Sequence, residues 1–302
     1  MAFSDVARPG VMFSQISPEA RKTEGQTVAL LERIIRHGWF SAIHSPEIHS
    51  SAERRDFASI VRENGLQYTY CLAVIQYDRN LNLSDLDENS RRTSVDAILR
   101  ELEGSVEAGA DSIQLISGPG PSDPKNRGEA LKALQRSMTE ITARAAKISS
   151  LRVAIEPLDY FAHKKHSLGA TEEAILLCEQ VKAEGLDLYI SFDTAHTLLN
   201  GEQPDEALRR CLPHVAEYHL CNCVTSPDAP LYGDFHMPFG EPGVIDVSTA
   251  GALLRDAEAI GFLNTNRRPT IFCEVMNTTE REPAEMIREQ QTFLEEAWQA
   301  GQ

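Results

Sequence analysis

Short apolar runs of β-forming residues alternate along the whole chain with longer segments in which apolar positions recur every three to four residues. The first pattern is that of buried strands and the second that of amphipathic helices. Strands are predicted near 11–15 (VMFSQ), 40–44 (FSAIH), 67–75 (QYTYCLAVI), 112–116 (SIQLI), 151–156 (LRVAIE), 187–193 (DLYISFD), 216–222 (AEYHLCN) and 270–275 (TIFCEV). Helices are predicted near 25–37, 50–64, 91–108, 126–148, 171–184, 204–212, 248–261 and 282–299. Gly65, Gly109, Gly185 and Gly261 each stand after a helix and before a strand, where a left-handed residue ends the helix. Eight βα units in series, with no linker or low-complexity stretch, predict an α/β fold: a single (β/α)8 barrel spanning residues 1–302. An open dinucleotide-binding sheet would call for a GxGxxG turn after the first strand, which the chain lacks.

Composition narrows the function more than the fold. The 302 residues are 42% hydrophobic and 25% charged, enough for a large core and unlike disordered or fibrous chains. Lys and Arg number 29 against 45 Asp and Glu, a net charge of −16 whose field repels polyanions, so no nucleic-acid partner is expected. The N-terminus has no signal-peptide core and no apolar run approaches bilayer length, so a cytoplasmic protein without a membrane partner is expected. The six cysteines are sparse and mostly lie in apolar stretches, where they are expected to stay reduced. Homo-oligomerisation stays open.

Active sites of (β/α)8 barrels are built at the C-terminal ends of the strands. There the fifth strand ends at Glu156, the sixth at Asp193, the seventh carries His219 and the eighth Glu274. Each follows an apolar run, and an unpaired carboxylate in such surroundings costs several kcal/mol. Three carboxylates and an imidazole on successive strands suit one divalent ion, manganese first, with magnesium, cobalt or zinc as alternatives, leaving positions for substrate oxygens.

These residues sit in the segments IEP (155–157), DTAH (193–196), YHLCN (218–222), GDFHMPFGEPGVID (233–246) and CEV (273–275). In them the chain resembles the xylose isomerase-like barrel superfamily, the sugar isomerase and epimerase branch that also contains endonuclease IV. The resemblance implies that Glu156, Asp193, His219 and Glu274 hold one metal and that His196 contacts substrate. It also implies that Glu156 and Glu274 exchange a proton with carbon, as in the ketose epimerases. Those epimerases carry an arginine where this chain has His236, two residues after Asp234. The Asp234 and His236 pair, with His196, instead resembles the residues that hold an additional zinc in endonuclease IV. The nuclease also needs histidines at the ends of the third and fourth strands, where this chain has TYCLAV and QLISGPG. The nuclease is therefore not expected.

His44 ends the second predicted strand and is a candidate for a substrate hydroxyl. The loop DYFAHKKHSLG carries His163, Lys164, Lys165 and His166; it is either a lid, with Tyr160 and Phe161 excluding water, or a solvated surface loop. His37 and His214 lie near helix C-termini and need no functional role. The expected function is a metal-dependent isomerase or epimerase that removes a proton next to the polarised carbonyl of a small polyhydroxylated substrate. Its alternative is a lyase acting on a keto-sugar, keto-glycoside or keto-cyclitol through the same enediolate, with His236 as the acid. A non-catalytic sugar-binding subunit would have no use for the intact four-residue set.

Overall fold

The computed structural model describes residues 1–279 and 281–302. In chain order its strands are β1 (Arg8–Met12), β2 (Ala42–Ser45), β3 (Gln67–Cys71), β4 (Ser112–Ile116), β5 (Arg152–Glu156), β6 (Leu188–Asp193), β7 (Val215–Leu220), β8 (Asn222–Val224), β9 (Gly233–Met237) and β10 (Thr270–Cys273). Eight of them close a parallel barrel in the order β1-β10-β7-β6-β5-β4-β3-β2, while β8 and β9 form an antiparallel hairpin beside it. The long helices fall where the periodicity places them, from Gln26–His37 to Pro283–Gly301. Four of the connecting turns use the glycines singled out above, at φ 62° (Gly65), 80° (Gly109), 78° (Gly185) and 78° (Gly261).

Between sheet and helices lie fully buried apolar side chains such as Leu31, Phe57, Ile98, Leu134, Val181 and Leu294. Each is worth about 1.5–3 kcal/mol of transfer free energy. Inside the barrel, Gly10 on β1 makes room for Phe272 on β10, because a Cβ at Gly10 would lie 2.3 Å from that ring. The Phe272 ring in turn supports His44 and His219, which pack edge-on against it at 5.4 and 5.8 Å between centroids.

Several predicted boundaries move: β10, predicted over 270–275, ends at Cys273 so that Glu274 follows it, and three other strands differ as much or more. The strand predicted over 67–75 stops at Cys71 and gives way to a helix, Ala73–Asp78. That turn is fixed by Gln76, whose amide donates to the Ile116 carbonyl at 2.7 Å and accepts from the Ile116 N–H at 2.9 Å, taking over the ladder at the end of β4. β1 begins earlier than predicted and is followed by the short helix Phe13–Ile16, not by strand. The strand predicted over 216–222 breaks after Leu220, and Asn222–Val224 leaves the barrel to pair with Gly233–Met237. All six cysteines are buried and free. Among the described residues no helix is long and apolar enough to cross a membrane.

Candidate active site

Glu156 and Asp193 are the last residues of β5 and β6, and His219 stands opposite Asp193 in register across β6–β7. Glu274 follows β10, its N–H donating to the Leu220 carbonyl at 3.0 Å. The fold thus gathers the four residues predicted from strand ends: one ligand-type atom from each lies within 4.8 Å of the others. His219 Nδ1 is 2.9 Å from Glu156 Oε1 and 3.3 Å from Glu274 Oε2. Each glutamate has its other oxygen held by an amide, Gln114 Nε2 on Glu156 Oε2 at 2.6 Å and Gln15 Nε2 on Glu274 Oε1 at 2.8 Å. Asp193 Oδ1 caps the helix Thr194–Leu199 by accepting from the His196 N–H at 2.9 Å, while its Oδ2 is buried without a hydrogen-bond partner.

Burial pushes the Asp193 carboxyl up, reinforced by Glu274 and Glu156 against the pull of His196. Burial also works to raise Glu274, but His236 and the hydrogen bond with His219 hold it below the usual carboxylate range. Burial opposes charge on His219, yet Glu156, Glu217 and Glu274 together hold it well above the usual imidazole value. The His219 imidazolium thus stands at the meeting point of three acids, two of them buried. The orphaned Asp193 oxygen and the mixed oxygen and nitrogen donor set fit a divalent ion.

A second cluster adjoins the first. Asp234 on β9 is fully buried, and its Oδ2 lies 3.0 Å from His236 Nε2, 3.2 Å from Lys164 Nζ and 3.6 Å from His196 Nε2. His236 Nε2 is also 3.5 Å from Glu274 Oε1, which joins the clusters. Behind His196, its Nδ1 lies 3.4 Å from Asp159 Oδ2, and Asp159 accepts the backbone N–H of His163 and Lys164 through Oδ1 at 2.5 and 2.9 Å. Burial works against charge on His196, but Asp159 and Asp193 raise it to about 9. Burial also disfavours the ammonium of Lys164, but Asp234 raises it overall.

The 157–170 loop is therefore not a solvated surface loop. Asp159, His166, Ser167 and Leu168 are buried, and the His163 ring stacks on Phe235 at 4.2 Å. Tyr160 and Phe161 do not take the water-excluding place predicted for them: the Arg127 guanidinium lies 3.9 Å over the Tyr160 ring, and Phe161 is 72% exposed. That place belongs to Tyr77 and Leu158, which line the cavity. His214 meets Glu179 at 2.9 Å, away from the site.

The cavity above the four-residue centre has a volume of about 250 Å³. Its lining combines polar residues, among them His44, Glu156, Lys164, His196, His219, His236 and Glu274, with apolar ones, Ala73, Val74, Ile116, Leu158 and Met276. Burial lowers the His44 pKa, so its ring is neutral, and neither ring nitrogen has a hydrogen-bond partner. Sequence reasoning missed Gln15, Gln114, Asp159 and Glu217. Gln114 and Glu217 carried a signal, as polar residues inside otherwise apolar strands.

The fold and the donor set define a (β/α)8 barrel with a carboxylate–histidine centre at its C-terminal mouth. The family model of the xylose isomerase-like TIM barrel matches residues 36–297, and the chain belongs to that family. No curated protein matches the chain by sequence. Among solved structures, it is similar to the D-psicose 3-epimerase of Clostridium cellulolyticum H10, crystallised with D-tagatose, at 15% identity and TM-score 0.67, covering 97% of this chain and 96% of that one. It is also similar to the 3-keto-D-glucoside 4-epimerase YcjR of E. coli, at 18% identity and TM-score 0.65, covering 95% and 98%. A third is the IolI protein with a bound zinc atom, at 14% identity and TM-score 0.66, covering 97% and 95%. At these identities the likeness is one of fold.

Proposed function

We propose that this protein is a divalent-metal-dependent isomerase or epimerase of a keto-sugar, with Glu156, Asp193, His219 and Glu274 holding the ion, manganese first, in a cytoplasmic enzyme. The observation that carries this reading is the buried Asp193 oxygen without a partner, set among two amide-pinned glutamates and His219. The sugar epimerases among the structural neighbours support the substrate class. When bound, the ion polarises the substrate carbonyl and the adjoining hydroxyl and so acidifies the intervening C–H.

Glu274 takes the proton from carbon and Glu156 returns one, each held by its glutamine through one oxygen while the other faces the centre. Proton removal leaves negative charge on the substrate oxygens. Lys164 and His236, both anchored on Asp234, face that charge from the cavity wall. His44, with both ring nitrogens free, holds a hydroxyl, and His196, positioned by Asp159, holds another. The wall formed by Ala73, Val74, Ile116 and Leu158 takes the apolar face of the substrate and keeps water out.

The test is incubation of the Mg²⁺-loaded protein in D₂O with ketohexoses and 3-keto-glucosides, followed by NMR and mass spectrometry. Deuterium at the carbon next to the carbonyl, in a product isomeric with the substrate, is expected. Loss of water or an aglycone would reassign the protein as a lyase, with His236 protonating the leaving oxygen. Absence of exchange on every ketone, with Mg²⁺ and Mn²⁺ alike, would overturn both.

A further inference from the structure

Directly beneath the centre, the barrel interior holds Glu217 on β7, 3% exposed. Among the described residues no lysine or arginine pairs with it. Its partners are Thr69 Oγ1, 2.7 Å from Oε2, and Ser191 Oγ and His219 Nε2, 2.8 and 3.3 Å from Oε1. Thr69 pairs in register with Ser112 across β3–β4, their hydroxyls 2.8 Å apart, and Ser191 with Glu217 across β6–β7. Branched aliphatic residues ordinarily fill such a layer. A carboxylate buried there with an imidazole as its one cationic partner among the described residues carries a large desolvation cost, which the apolar alternative avoids.

The two hydroxyls fix the plane of the carboxylate and leave Oε1 facing His219 Nε2. The opposite nitrogen of that ring, Nδ1, faces Glu156 and Glu274. His44 also approaches Glu217, but its ring nitrogens form no hydrogen bond, so His219 is the imidazole that Glu217 serves.

We propose that Glu217 is a positioning residue of the metal centre: it accepts the Nε2–H of His219, fixing tautomer and ring orientation so that the Nδ1 lone pair is presented to a divalent ion beside Glu156, Asp193 and Glu274. The inference rests on the metal-centre reading above. A carboxylate behind a ligating imidazole makes it a stronger donor and removes the freedom to present the wrong nitrogen.

The test is titration of the metal-free protein with Zn²⁺ in competition with a chromophoric chelator, comparing wild type, Glu217→Gln and Thr69→Val. Glu217→Gln keeps the volume and one acceptor oxygen but loses the charge, and its Zn²⁺ affinity is expected to fall about 10- to 100-fold. Its metal-free melting temperature should change little, because His219 keeps Glu156 and Glu274 as partners. In the Zn²⁺-loaded wild type the His219 Nε2–H should give a slowly exchanging, downfield NMR signal that moves upfield in Glu217→Gln. Thr69→Val, which frees Glu217 Oε2 and leaves the charge in place, should weaken Zn²⁺ by a few-fold and decides the matter if Glu217→Gln does not fold. Wild type that binds no Zn²⁺ overturns the metal centre itself and this inference with it. Wild type that binds, with variants that bind equally and keep the downfield signal, overturns only the role of Glu217.

Discussion

Strands β5, β6, β7 and β10 bring Glu156, Asp193, His219 and Glu274 to the barrel mouth, whereas β1 to β4 and the turns after them bring Gln15, His44, Cys71 and Gln114. The first half of the mouth carries the ionisable groups of the centre; the second meets that centre with neutral donors and acceptors, and its charged cavity residues, Arg21 and Asp78, pair with each other. The halves meet through hydrogen bonds in which the neutral side holds the charged side, Gln15 on Glu274 and Gln114 on Glu156. Helix Ala73–Asp78, on the neutral side, adds the apolar wall of the cavity. The division of labour follows from burial: acids packed this closely need a cation, and their geometry is held best by groups that add no charge of their own.

The largest expected effect comes from removing a charged group. Asp193→Ala should reduce bound metal from about one equivalent to near none, by elemental analysis after dialysis. Chelation of the wild type should lower its melting temperature, because the native state loses a ligand that the unfolded chain does not bind. A melting curve indifferent to chelators would remove the reason for the charged half. Glu274→Gln comes next, with turnover down about 10²- to 10⁴-fold and substrate affinity nearly kept. Near-normal turnover in steady-state assays would make Glu274 a ligand only.

His166 spans the two halves, buried in the 157–170 loop with Nε2 3.4 Å from the Tyr77 hydroxyl. Burial, aided by His196, lowers its pKa from 6.5 to about 3. As pH falls the unfolded chain takes up this proton first. The native state therefore keeps its full advantage above 6.5 and loses it progressively down to about 3. At pH 5 the loss from this one group is ~2 kcal/mol relative to pH 8. His166→Asn should flatten that part of the profile in denaturant titrations, and an unchanged slope would place the acid sensitivity elsewhere. The smallest effect belongs to the neutral half. Gln114→Leu frees one Glu156 oxygen and should weaken metal about 10-fold, measured by competition titration. A loss as severe as that of Asp193→Ala would dissolve the distinction between the halves.

The linear pattern of the chain determined the barrel, its helices and the four residues at the strand ends. Strand and helix periodicity are local, glycine turns mark the junctions, and the barrel rule converts the end of a strand into a place in space. Where a strand stops was not local in the same way. Residues 72–75 read as apolar strand, but the side chain of Gln76 closes the end of β4 and turns them into helix. The supports of the centre lay further out of reach. Gln15 meets Glu274 across 259 residues and Thr69 meets Glu217 across 148, and Lys164 reaches Asp234 only because Asp159 folds the 157–170 loop back beneath it. Such contacts depend on which side chains closure of the barrel brings together, and periodicity holds no information about them; only the tertiary structure decided that the acids have amide, hydroxyl and ammonium partners.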